Sequence, residues 1–386
     1  MVSLETFQEA IRDESLHGWL FCNMHHRDLL ADRLLDIPRE AMNSRQWFYF
    51  IPAEGEPTKI VHAVEETALH HLPGRETRYG SREELMQALA ALPKGKVGAQ
   101  FSQNLTAISY LDYGTALLLQ EAGFTLVSSA DLIQKTVGVL TDREIESHER
   151  AAAHLYEIIG KTWEACKAWI YDGRSLFEGD LQEWIYQEFE ARALTTDHPP
   201  IVAAGQHSAN PHYMVEGRGS PISDGDIIQF DIFAREQPQG SIFADISWTA
   251  FCDQAVPSSI SRVFQAVQGA RDSAVQLITE RLGSNTPVRG DEVDTHVRTL
   301  LEELGLGSYL RHRTGHSIDT EIHGSGANLD SVEFPDSREL IEGSCFSIEP
   351  GVYLETFGIR TEIDVYIKNG TVVISGGSPQ QQVLTL

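Results

Sequence analysis

Residues 226–251, DIIQFDIFAREQPQGSIFADISWTAF, read as two strands around a polar turn. Ile227, Ile228, Phe230, Ile232 and Phe233 belong to the first strand, and Ile242 to Phe251 form the second. Between them Arg235 to Gly240 is polar, with Pro238 and Gly240 to turn the chain. A hairpin folded about Pro238 sets Asp231 opposite Asp245, and directly opposed residues hold their Cβ atoms only ~5 Å apart. Strand alternation leaves each acid among apolar residues that call for burial. Two ionised carboxylates in such a place need a cation between them.

The arrangement recurs in residues 345–353, CFSIEPGVY, and 358–366, GIRTEIDVY, which read as two strands joined by a short turn. A turn about Glu355 and Thr356 sets Glu349 against Glu362. A surface position or a salt bridge would account for any one of these acids alone. Four carboxylates from two hairpins instead suit hard or borderline metals, and a shared pair of ions accounts for their number.

Composition bounds the rest. At 386 residues, with 41% hydrophobic and 22% charged residues, the chain is long enough for two domains of globular type. Cys22, Cys166, Cys252 and Cys345 show no CxxC spacing, so neither a disulfide framework nor a thiolate zinc site is expected. The opening MVSLETFQEAIRDESLHGW is amphipathic and acidic without an apolar signal core, and no segment reaches the ~18 apolar residues of a membrane span. A cytoplasmic setting is expected. The formal charge of −26 argues against nucleic-acid and anionic-membrane partners.

Residues 1–138 read as a mixed α/β unit. Its strand-like segments are 18–22, 47–51, 59–62 and 96–99, with helices at 82–92 and 115–121. The pairs His25–His26 and His70–His71 suggest metal binding, but neighbours on a strand face opposite sides, so no site is assigned. Thr141-Asp-Arg-Glu144 is a capping box that opens a long helix and marks the domain boundary. Further helices are expected at 180–192, 259–282 and 291–304. The acid-bearing hairpins flank the last two, a hint of duplication within residues 140–386.

Histidines complete the pattern. His212 follows a proline in a turn-like segment, which suits a fixed, partly exposed imidazole or a structural one. Residues 311–324, RHRTGHSIDTEIHG, hold three more. His312 and His316 are four apart, a helical zinc spacing, but Gly315 and the absence of a glutamate after His312 favour a loop running into a strand. A metal shared among carboxylates commonly takes one neutral imidazole, leaving other histidines to hold substrate or pass protons.

This order of motifs (Asp, Asp, Gly-His, Glu-Pro-Gly, Gly-Ile-Arg-x-Glu) resembles the pita-bread metallopeptidases of the creatinase, aminopeptidase P and prolidase type. The resemblance covers residues 140–386 closely and residues 1–138 more loosely. It implies an α+β chain, with an N-terminal creatinase/prolidase-like α/β domain over 1–138 and a catalytic pita-bread domain over 139–386. It implies that Asp231 chelates one of two divalent ions, that His316 and Glu349 bind the second, and that Asp245 and Glu362 bridge both. His212 and His323, with Glu349, match catalytic positions, while His312 and Arg360 match substrate-handling ones. Manganese is favoured because carboxylates outnumber imidazole, with zinc, cobalt or iron as alternatives.

The implied reaction is hydrolysis of an N-terminal Xaa-Pro bond in a short peptide, by a homodimer. A non-peptidase hydrolase or lyase of a small molecule and an inactive binding relative are the alternatives. The sequence departs from the family pattern in four places. Asp231 and Asp245 are fourteen apart rather than eleven, Ser247 stands where Thr is usual, Trp248 where Arg is common, and Asp319 where Gly is usual. Asp319 is expected in a left-handed backbone, with its charge near the cleft. Arg338 is a candidate for reading the free carboxylate of a dipeptide.

Overall fold

The computed structural model describes residues 2–386. The chain divides into two compact units, one ending at Val137 and one running from Gly138 to Leu386. The first is built on a mixed six-stranded sheet: β1 (Gly18–Asn23), β2 (Trp47–Pro52), β3 (Thr58–His62), β4 (Arg75–Tyr79), β5 (Lys96–Ala99) and β6 (Thr125–Ser128), in the order β4-β3-β2-β1-β5-β6. Helices α1 (Leu4–Asp13), α2 (Leu29–Leu35), α3 (Arg82–Ala91), α4 (Tyr113–Glu121) and α5 (Ala130–Thr136) complete it. The two sheet faces bury separate clusters, with Trp19, Phe21 and Trp47 in one and Leu20, Phe48 and Phe50 in the other. That alternation is why the strands read as almost continuous apolar runs.

The histidine pairs of this unit do not lie on strands. His25 and His26 both take left-handed backbone, at φ 58° and 51°, in the turn that follows β1. His26 Nδ1 lies 2.6 Å from Asp32 and His71 Nε2 lies 2.9 Å from the Leu35 carbonyl, so these two rings tie turns to helix α2 or its end. Opposite-face reasoning therefore did not apply, although the assignment of no site is unaffected.

The second unit repeats one plan. A long helix, α6 (Asp142–Tyr171), and a 14-residue helix, α7 (Glu178–Ala191), precede strands β7 (Leu194–Thr195), β8 (Ile201–Ala204), β9 (Ile227–Glu236) and β10 (Ala244–Phe251). A second long helix, α8 (Ser258–Gly283), and a second 14-residue helix, α9 (Gly290–Glu303), precede β11 (Cys345–Ile348), β12 (Gly351–Tyr353), β13 (Gly358–Arg360) and β14 (Ile363–Lys368). Strands β15 (Thr371–Ile374) and β16 (Leu384–Thr385) close the chain.

Thr141 and Glu144 form the reciprocal cap that starts α6. Leu155, Ile159 and Trp163 of α6 pack on Phe230 and Ile246, while Val267 and Ile278 of α8 pack on Phe346 and Ile363. Each hairpin thus has apolar helices behind one face, which leaves the other face for polar groups. Hydrogen bonds from backbone N–H groups help join the hairpins, among them Glu362 N–H to the Ser247 carbonyl at 3.1 Å and Asp245 N–H to Asp364 Oδ2 at 2.7 Å.

Candidate metal centre

The register of the first hairpin differs from the expected one. Asp231 pairs with Ser247 and Asp245 pairs with Phe233, so the two acids are diagonal neighbours on one face rather than directly opposed. The cause lies before β10. Phe243 N–H donates to the Asp319 carbonyl at 3.0 Å and Ile242 N–H to Ser147 Oγ at 3.4 Å, which removes both residues from the ladder. The strand begins at Ala244, and the turn is centred further along than Pro238.

The second hairpin holds one register through two short ladders, Ile348 with Ile363 and Gly351 with Arg360. Between them the ladder is interrupted at Glu349-Pro350, where proline supplies no N–H, and across from it at Thr361-Glu362. Glu349 therefore faces Glu362 at the break. Its own N–H donates to the Thr314 carbonyl at 2.7 Å, which draws the histidine loop alongside. That loop is irregular, with isolated bridges only at Gly315 and Ser317, as expected for a non-helical His312–His316 spacing.

One ligand atom each from Asp245, His316 and Glu362 lies within 4.8 Å of the others, and all three residues are buried. His316 Nε2 is 3.6 Å from Asp245 Oδ2 and 3.6 Å from Glu349 Oε1. Asp231 sits on the flank of this group. Its Oδ2 accepts from Arg360 Nη2 at 2.5 Å, and Ser247 Oγ is 3.2 Å from Oδ1. The Ser247 hydroxyl also lies 2.8 Å from Glu362 Oε2 and accepts from Arg360 Nε at 2.9 Å. The serine at this position thus keeps the hydroxyl's bridging role.

Electrostatics separate these groups. Burial pushes the Asp245 and Glu362 carboxyls well above their usual range, and neighbouring acids push them further: Glu362 and Asp231 on Asp245, Glu349 and Asp231 on Glu362. Burial also raises Glu349, to about 7, with the Arg360 charge pulling the other way. Burial and then the nearby His323 lower His316, which keeps its imidazole neutral. His316 Nδ1 lies 3.2 Å from the Ser317 carbonyl, an arrangement that places the ring proton there and turns the Nε2 lone pair toward the acids.

Asp245 Oδ1 and Glu362 Oε1 are buried and have no hydrogen-bond partner among the described residues. A lone pair facing carboxylates, beside two unpartnered carboxylate oxygens, fits a divalent ion.

The remaining predicted residues surround this group. His323 shares the loop with His316, their rings edge to face at 4.5 Å, and it stays exposed to solvent. His212 is exposed in its turn, its N–H bonded to Asn210 Oδ1 at 3.1 Å. His312 contacts the Tyr353 hydroxyl at 2.7 Å through Nε2, and Arg360 Nη1 donates to the same hydroxyl at 2.9 Å. Arg360 therefore fixes Asp231 through a direct ion pair.

Two readings are corrected. Asp319 has no left-handed backbone and is buried rather than displayed in the cleft. Its carboxylate accepts from the N–H groups of Glu321 at 2.8 Å and Ser325 at 2.9 Å, so it organises the loop that carries His323. Arg338 is buried and engaged with Asp336, the Ser325 carbonyl and the Gly326 carbonyl, which removes it as a substrate receptor. Sequence reasoning missed Asp364, which holds the Asp245 backbone. It stands two residues after Glu362 in residues 358–366, which the sequence reads as one strand, so the period of two could have found it.

Comparison with known proteins bears on the same residues. The model of metallopeptidase family M24 matches residues 150–369. The chain is 25% identical over 343 residues to a probable dipeptidase PepE from Mycobacterium bovis, covering 86% of this chain and 84% of that one. It is 27% identical over 194 residues to an Xaa-Pro dipeptidase of Lactobacillus delbrueckii subsp. lactis, covering 50% and 48%. The solved dipeptidase PepE of Mycobacterium ulcerans superposes with a TM-score of 0.72 at 21% identity, over 99% of this chain and 96% of that one. The pita-bread fold with a preceding α/β region is that of a metal-dependent peptidase. The chain belongs to metallopeptidase family M24, which implies divalent metal cofactors. No helix among the described residues is long and apolar enough to cross a membrane.

Proposed function

We propose that this enzyme hydrolyses the Xaa-Pro bond at the amino terminus of short peptides, with two divalent ions, manganese foremost. The observation that carries the reading is the buried trio of Asp245, His316 and Glu362, with two carboxylate oxygens lacking any partner. The relatives named as dipeptidases and Xaa-Pro dipeptidase support the substrate class. Asp231 would hold one ion and His316 with Glu349 the other, with Asp245 and Glu362 contributing to both. Bound there, the ions supply Lewis acidity, polarising the scissile carbonyl and acidifying the attacking water.

The chain's own groups do the rest. Glu349, pushed up to about 7 by burial in the absence of metal, accepts a proton from the attacking water and returns it to the leaving amine. His323 and His212 donate hydrogen bonds to the tetrahedral oxygen or the scissile amide, where one such donor is worth ~3–4 kcal/mol of barrier. His312 lines the pocket for the proline ring. Arg360, locked between Asp231 and Tyr353, keeps the ligand acid in place. Residues 1–138 form a creatinase/prolidase-like domain and residues 139–386 the catalytic domain, in a cytoplasmic homodimer. The division of the chain at Val137 supports that boundary. Cleavage of Ala-Pro and Ala-Pro-Ala in added Mn²⁺ tests the reading, and hydrolysis of neither contradicts it.

A further inference from the structure

The arginines near the centre are almost all committed. Arg360 pairs with Asp231, Arg338 with Asp336, and Arg298 with Asp294 and the His312 carbonyl. Arg313 is different. It is half-buried, three residues before His316, and its guanidinium has no hydrogen-bond or ion-pair partner among the described residues. In a chain with 56 acidic and 30 basic residues, a cation left unpaired beside a cluster of acids needs a reason.

Its backbone, by contrast, is pinned on both sides. Arg298 Nη2 donates to the His312 carbonyl at 2.6 Å, Thr314 N–H donates to Asp294 Oδ1 at 2.9 Å, and the Thr314 carbonyl accepts from Glu349 N–H at 2.7 Å. With Thr314 bonded to Glu349 and His316 three residues on, the backbone of Arg313 runs alongside the centre, and its charge lowers His316, His323 and Glu349. An anionic substrate group entering there meets Asp231, Asp245, Glu349 and Glu362, and needs a cation to offset them.

We propose that Arg313 receives the free α-carboxylate of a two-residue substrate, making this enzyme a dipeptidase rather than an aminopeptidase for longer chains. The proposal rests on the peptidase reading above. A guanidinium presents forked donors matched to a carboxylate, and a peptide extended beyond the second residue carries a neutral amide at that point.

The test compares Ala-Pro with Ala-Pro-amide, in wild type and in Arg313→Ala, Arg313→Lys and Arg311→Ala, with the exposed Arg311 as control. Wild type should favour the free acid by about 10- to 100-fold in kcat/KM, and Arg313→Ala should lose that preference mainly through KM. Arg313→Lys should recover part of it, and Arg311→Ala should match wild type. Equal losses on acid and amide, or no loss, overturn the assignment and leave the proline reading standing. If wild type cleaves no Xaa-Pro peptide, the proline reading fails. Ala-Leu against its amide then decides on Arg313 alone, with a carboxylate preference lost in Arg313→Ala upholding it and an unchanged ratio overturning it.

Discussion

On one flank of the acid cluster, Asp231 is paired with Arg360, while the Ser247 hydroxyl lies between the flanks, 2.8 Å from Glu362 Oε2 and 3.2 Å from Asp231 Oδ1. On the other flank, Asp245 and Glu362 each keep a buried oxygen without a partner, and His316 turns a bare nitrogen toward them. Both flanks derive from the same two hairpins. The first flank is neutralised from within the chain, by an arginine on β13. The second is left to be neutralised from outside. A buried acid that the protein pairs with its own cation, as Asp231 is, is held in place before any ion binds, whereas one left unsatisfied next to a second acid marks where an ion must go.

The contrast should show most strongly in activity. Asp245→Asn and Glu362→Gln should each lower kcat/KM by about 10³-fold or more, by analogy with the loss of a centre that stabilises developing charge. Their metal-free forms should melt no lower than metal-free wild type, because each removes a charge that burial and its neighbours disfavour. The first flank should respond in the opposite sense. Arg360→Met leaves Asp231 buried without its cation and should cost about 3 kcal/mol or more in chemical denaturation of the metal-free protein.

The pH dependence sharpens the division further. The metal-free carboxyl of Glu349 is raised from 4.5 to about 7, so between those values the folded state binds more protons than the unfolded one. Stability contributed by the protonated group is therefore full below pH 4.5 and lost as pH rises through 7, an effect on the order of 2–3 kcal/mol. Asp245 and Glu362 act in the same direction. Metal-free protein should thus be less stable at pH 8 than at pH 5.5, and added Mn²⁺ should remove that difference. Denaturation at both pH values, with and without the ion, checks it.

The smallest effect belongs to the loop beside the centre. Asp319→Ala leaves the N–H groups of Glu321 and Ser325 without their acceptor and should cost about 1–2 kcal/mol. Metal content should stay unchanged while kcat falls, since His323 and not a ligand is displaced.

Much of this arrangement was legible in the sequence because periodicity carries it. The long helices, both hairpins and the opposition of Glu349 to Glu362 follow from apolar spacing and short turns. The register of Asp231 and Asp245 did not follow, because it depends on Asp319 and Ser147 capturing the N–H groups of Phe243 and Ile242 from far along the chain. The destinations of arginines were equally hidden. Arg338 and Arg360 look alike as letters, yet one braces a loop with Asp336 and the other braces Asp231, and only the folded chain shows Arg313 without a partner. Long side chains reach across elements, and no local pattern records where they end.

The central claim is that the unsatisfied flank is completed by cations. Calorimetric titration of metal-free protein with Mn²⁺, in wild type and Glu362→Gln, tests it most directly. The account predicts two ions bound per wild-type chain, with proton release that grows below pH 7, and binding lost or cut to one weak ion in the variant. Wild type that takes up no divalent ion, or a variant that binds as wild type does, would contradict it.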